Sequence, residues 1–264
     1  MAELTVTLRD QTTPMFVYNH PTEGGSVSLV GISHQVQPEC ATELREMLLG
    51  LSRRGVTIHY ENVAWPTEEQ LAAVPRQLRE LTAQFERAYT TVSAPNPADG
   101  LILLSDVLLT EQAWENHDLT MLQVVEFLGQ TEVEQFIEQA NLAEQYLKLT
   151  APMLRRVALL QHLAVATEVA HGRAALEQAF LGKHVQLAAR REQVALGALD
   201  QARQANPGGE FALVWGAAHL SGLGAGLRER GFQQTEQREL TAIRVDNLPP
   251  LDGAAPLTPA ALEI

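Results

Sequence analysis

Apolar positions along this chain alternate between short β-type runs and long stripes of helical period. Near the start, TVTL (5–8) and MFVY (15–18), separated by RDQTTP, predict an edge hairpin. SVSLVG (26–31) predicts a largely buried strand that ends in Ile32-Ser33-His34. From Pro38-Glu39 the period becomes helical, with Leu44, Met47, Leu48 and Leu51 on one stripe, until Gly55 stops it. VTIHYE (56–61) is the next strand, and a strand–helix–strand unit of this kind yields a parallel pair.

The middle of the chain is helical. Leu71, Val74, Leu78, Leu81 and Phe85 share a face over 67–92, opened by a capping-box pattern, Thr67-Glu68-Glu69-Gln70. Further helical patterns cover roughly 101–113, 120–129, 131–147, 152–170 and 173–205, the last stopping at Asn206-Pro207-Gly208-Gly209. A strand pattern returns at FALVWG (211–216), followed by Ala217-Ala218-His219 and a short helix over 220–229 that Gly231 ends. Residues 232–236 and 239–245 predict a terminal hairpin. The expected fold is α/β: a mixed sheet with paired GxxH strand ends and a large helical insertion. One domain (1–245) carries the insertion at about 67–205, and a Pro-rich tail (246–264) either wraps the surface or is mobile.

Composition narrows the function. A chain of 264 residues has room for one sizeable core or a main domain with an insertion. The 32 acidic against 19 basic residues give −13, which argues against nucleic acid and anionic membranes as partners. Cys40 is the only cysteine, so an intrachain disulfide, a Cys-rich zinc site and a CxxC pair are all excluded. MAELTVTLRD has no basic stretch before an apolar run, and no apolar segment reaches the roughly 18 residues of a membrane span. The expectation is a cytoplasmic protein. Neither GxGxxG nor GxxxxGK[ST] occurs, which disfavours nucleotides. The long apolar helix faces serve either an internal core or a homo-oligomer surface.

One internal echo carries chemistry. Gly31-Ile32-Ser33-His34 and Gly216-Ala217-Ala218-His219 each follow an apolar strand and precede a helix. Ligands of open α/β sheets collect beyond the carboxyl ends of parallel strands, where both histidines and the strand-end Glu61 would meet. Two imidazoles and a carboxylate suit zinc, manganese or iron. The alternative is plainer: histidines that satisfy backbone groups and a solvated Glu61. His59 shares Glu61's sheet face and either binds near the site or fills its edge. Ser33 beside His34 makes no nucleophile pair by adjacency alone.

These residues resemble the TraB/PrgY/GumN family, related to the TIKI-type metal-dependent peptidases. GISH (31–34), Glu61 and GAAHLSGLGAGLRERGF (216–232) carry the resemblance. So do Ala189-Arg190-Arg191-Glu192, where the family commonly has Arg before Asp or Asn, and Asn116-His117-Asp118-Leu119. Arg191-Glu192 is the better match to the Arg pair, with Arg190 the adjacent alternative. Glu192 departs from the family by one methylene. The resemblance implies a hydrolase of a peptide or small amide, with His34, His219 and Glu61 holding a divalent ion, Mn or Zn. Glu61, if it faces water instead of metal, is the general base. Arg191 stabilises negative charge or orients substrate, or else forms a salt bridge with a Glu; Asp118 organises the ligands or caps a helix. His117 is a pocket candidate, while His162 and His171 read as surface or packing residues, and Cys40 as structural. Two rival functions stay open: a non-catalytic regulator that binds a ligand or peptide, and a haem or iron protein.

Overall fold

Strands β2 (Ser26–Ile32) and β7 (Glu210–Gly216) are apolar on both faces, and each is buried along almost its whole length. That pattern is what a parallel strand covered on both sides requires. The structure, a computed structural model, describes residues 10–95, 99–108, 114–149 and 183–249. Among the described residues it shows an α/β fold with a six-stranded mixed sheet, in the order β6-β4-β7-β2-β1-β8. Here β1 is Gln11–Asn19, β4 Thr57–Tyr60, β6 Glu115–Asn116 and β8 Gln233–Ile243. Strands β6, β4, β7 and β2 run parallel, while β1 lies antiparallel between β2 and β8.

Helices cover both faces. Helix α1 (Pro38–Arg53) packs Leu48 and Leu51 against Val30, Ile58 and Val214. On the other face α7 (Lys183–Ala205) and α8 (Leu220–Glu229) bring Leu196, Leu199, Leu223 and Leu227 onto Leu29, Leu213 and Trp215. The helix after β2 and the helix after the adjacent β7 therefore leave toward opposite faces. Their divergence opens a crevice beyond the carboxyl ends of both strands, the usual ligand position in such sheets.

A third core joins α3 (Arg76–Ser93), α5 (Met121–Leu128) and α6 (Gln130–Leu149) through Phe85, Val125, Leu128 and Val133. Helix α7 belongs to two cores at once. Leu187 and Val194 face the helical cluster, whereas Ala195, Leu196 and Leu199 face the sheet. Arg191 and Glu192 fall at that junction. No helix among the described residues is long and apolar enough to cross a membrane.

Several expectations change. Both edges of Met15–Tyr18 are taken by β2 and β8, so this segment is interior and not half of an edge hairpin; residues 5–8 lie outside the described residues. The expected helix at 67–92 is two, α2 (Glu68–Ala72) and α3, because Pro75 disfavours helical backbone before it and starts the second. The Thr67–Gln70 capping box is present. At 101–108 the chain forms β5 (Ile102–Leu103), paired with β3 (Gln35–Val36), and the one-turn α4 (Ser105–Leu108). Residues 109–113, the predicted helix at 152–170 and residues 173–182 lie outside the described residues. The predicted terminal hairpin is a single strand, β8, antiparallel to β1. Its central EQRE contains no turn-forming residue, and its charges are those of an exposed edge strand. Where the assigned domain passes into the tail, Val245–Asn247 makes a 3-10 turn with Val245 buried, while residues 250–264 are not described.

Candidate active site at the strand ends

Four side chains meet in the crevice. Glu61 follows β4, and its N–H continues the ladder to the Val214 carbonyl at 2.9 Å. Its Oε2 accepts the Gly216 N–H. A Cβ at position 216 would stand 2.9 Å from that oxygen and 3.3 Å from His34 Nε2. The glycine of the second GxxH thus leaves room for the carboxylate and the first histidine. His34 itself is exposed at the rim.

Arg191 occupies the centre. Its Nε donates to Asp118 Oδ1 at 2.9 Å and its Nη2 to Asp118 Oδ2 at 2.6 Å, a two-pronged grip. Nη2 also donates to Glu61 Oε1 at 2.5 Å, and Nη1 lies 3.3 Å from His219 Nε2. A guanidinium can only donate, so His219 Nε2 is the acceptor and the ring proton sits on Nδ1. Nδ1 is 3.2 Å from Glu192 Oε1, which accepts it. Adjacent helical positions diverge by about 100°. Arg191 and Glu192 therefore grip opposite edges of the same imidazole. Gly222 makes this possible, since a Cβ there would collide with the Glu192 carboxylate.

The charges are buried. The side chains of Glu61, Asp118 and Glu192 are at most 5% exposed. Burial by itself raises the Glu61 pKa, but Arg191, then His219, His34 and the Gly216 N–H, hold it well below the usual carboxylate range. Burial works against the Arg191 charge as well, and Glu61 and Asp118 overcome it and push its pKa up. Tyr89 on α3 faces these charges: burial first, then Glu61, raise its phenol pKa, so it stays neutral. Trp65, 45% exposed, meets Tyr89 edge-on at 6.4 Å and forms the outer aromatic wall.

A second cluster lies on the same sheet face. His59 on β4 is opposite Glu115 on β6, and His117 is two residues further along. Their donor atoms all lie within 4.8 Å of one another, so among the described residues this group has the donor set for a metal ion. His117 Nε2 is 2.9 Å from Glu115 Oε2, and His59 Nε2 is 3.6 Å from the same oxygen. His59 is fully buried, and neither of its ring nitrogens has a hydrogen-bond partner among the described residues. Burial, with His117 adding to it against the pull of Glu115, lowers the His59 pKa to about 4.

Of the sequence-predicted residues, Glu61, Arg191, Asp118 and His219 are brought into mutual contact, with His219 Nε2 3.8 Å from Glu61 Oε1. His34 borders them across Gly216. Asp118 is not the cap of α5: Thr120 is, in a capping box with Gln123. Arg190 stacks on Phe127 at 5.3 Å, away from the network. Ser33 donates to the Gln35 carbonyl, and buried Cys40 packs under Arg244, both in structural settings. His162 and His171 lie outside the described residues. Sequence reasoning missed Tyr89, Trp65 and Glu115. The alternation of Glu115 and His117 was a signal for the last, but nothing local places it against His59.

A concavity of about 540 Å³ opens at the opposite, amino-terminal end of β2 and β7, lined by Glu23, Asp200, Arg203 and Gly208. Arg203 there is engaged by Glu23 and by the Phe232 ring. Comparison with known protein families, with curated proteins and with solved structures finds no match to this chain.

Proposed function

We propose that this chain is a divalent-metal-dependent hydrolase of a peptide or small amide, working in the crevice beyond β2, β4 and β7. The observation that carries the reading is the convergence of Glu61, Asp118, Arg191 and His219 at the point where helices diverge to opposite faces. The resemblance of GISH, Glu61, Arg191-Glu192 and GAAHLSGLGAGLRERGF to the TraB/PrgY/GumN pattern supports it.

His34, His219 and Glu61 are the residues that would hold the ion, manganese or zinc. The donor set suits either metal. Glu192 ties up His219 Nδ1, so Nε2, which accepts from Arg191 Nη1 and lies 3.8 Å from Glu61 Oε1, is the nitrogen an ion would take in place of that contact, with the ring fixed from behind. Glu61 and Asp118 share one guanidinium, so this trio carries net negative charge that a cation offsets. When bound, such an ion polarises a carbonyl and makes water more acidic. Asp118 positions Arg191, whose fixed Nη1 edge stabilises negative charge growing on a carbonyl oxygen. Trp65 and Tyr89 supply an apolar wall for a substrate side chain.

The test is metal-stripped protein resupplied with Mn²⁺ or Zn²⁺ and assayed on mixed peptides. Hydrolysis should appear with one of them, and fall at least about a hundredfold in His219→Ala and in Glu61→Gln. No hydrolysis with any supplied ion, or metal uptake unchanged in His34→Ala/His219→Ala, overturns the reading.

A further inference from the structure

We propose that His59, Glu115 and His117 form a zinc site of their own, separate from the strand-end crevice. A buried imidazole needs a partner for its donor and its acceptor, and leaving either unmet is unfavourable. His59 is fully buried and has no hydrogen-bond partner among the described residues. Its ring lies 4.3 Å, centroid to centroid, from that of His117, and both Nε2 atoms address the same Glu115 oxygen.

Tetrahedral zinc with bonds of about 2.0–2.1 Å has ligand atoms roughly 3.3 Å apart. The two distances to Glu115 Oε2, 2.9 and 3.6 Å, bracket that value. Two imidazoles and one carboxylate leave a fourth position for water. Access is one-sided: His59 closes the floor, while the side chains of Glu115 and His117 are 55% and 32% exposed.

Zinc here has a structural consequence. Strand β6 is only two residues long and, among the described residues, pairs with β4 alone. An ion shared by His59, Glu115 and His117 pins β6 to β4, and the chain passes directly from His117 to Asp118, the residue that grips Arg191. The second site therefore steadies the first.

Zinc uptake by the metal-stripped full chain, counted by calorimetry, tests this. His117→Ala and Glu115→Gln sit at solvent-accessible positions and should each bind one equivalent fewer than the unaltered chain, or bind it at least tenfold more weakly. That difference holds whether the crevice binds its own ion or not, because His34→Ala/His219→Ala leaves the His59 equivalent in place. In parallel, the imidazole nitrogen resonances of His59 and His117 should move together on zinc addition. Equal uptake by His117→Ala and the unaltered chain, or a His59 resonance that zinc does not move, overturns the proposal.

Discussion

Two histidine sites meet near the end of β4, one built on His59 and the other on Glu61 two residues further along, and they are built in opposite ways. Around Glu61, every polar atom of Asp118, Arg191 and His219 is answered by another group of the chain, down to the backbone N–H of Gly216. Around His59, a fully buried ring has no hydrogen-bond partner among the described residues. Buried charge is tolerated where it is paired and costly where it is not. The first site is thus complete as a charge network and can be tuned by a ligand. The second is complete only with one.

The sharpest way to break this contrast is Arg191→Met. Glu61 and Asp118 would be left buried without their cation, and urea unfolding should show a loss of about 3–5 kcal/mol. Arg191→Lys keeps the charge but cannot reproduce the two-pronged grip on Asp118, and should recover only part of the loss. Stability equal to the unaltered chain would mean that the network is not self-sufficient.

The His59 site makes its own prediction in acid. With Glu115 and His117 facing it, His59 in the metal-free fold takes a proton only near pH 4, against 6.5 for the ordinary side chain. The unfolded chain therefore binds the extra proton first. Stability should fall as pH drops from about 6.5 to 4, by on the order of 3 kcal/mol from this group. Denaturant midpoints across that range, compared with His59→Leu, isolate its share. An equal acid loss in His59→Leu would show that the decline comes from other groups.

Gly222→Ala probes the grip of Glu192 on His219. The added methyl would meet the carboxylate, with a cost of about 1–3 kcal/mol in thermal or urea unfolding. The smallest effect should be His59→Leu near neutral pH without metal. Removing an unpartnered polar ring from a buried place should leave stability unchanged or raise it by about 1 kcal/mol. The same variant should lose any zinc-dependent rise in Tm. A marked destabilisation would show that the ring is satisfied after all.

Much of the scaffold was legible in local patterns. The doubly buried β2 and β7, the stripe of α1, the Thr67–Gln70 cap and the stop at Gly208-Gly209 all follow from neighbours a few residues apart. The echo of Gly31-to-His34 and Gly216-to-His219 pointed to one rim, and Glu61 lies on it. Other elements depended on distant partners. Residues Glu115–Asn116 carry no strand pattern and become β6 only because β4 offers an open edge. The polar run at 236–239 has no apolar alternation to mark it as strand, and it is strand because β1 has a free side to pair.

What the sequence alone determined is the alternation of apolar and polar positions, and so which faces of each element are buried and which chemistry stands at each strand end. Periodicity and turn chemistry act over a few residues, and they suffice for that. The tertiary structure decided register. It set Glu115 beside His59 across 56 positions of chain, and Arg191 between Glu61 and Asp118. A slip of one residue in the β4–β6 pairing would send Glu115 to the other face of the sheet, and one along α7 would turn Arg191 about 100° away from its partners. Register is a property of the whole packed sheet, because the cores on both sides must close at once.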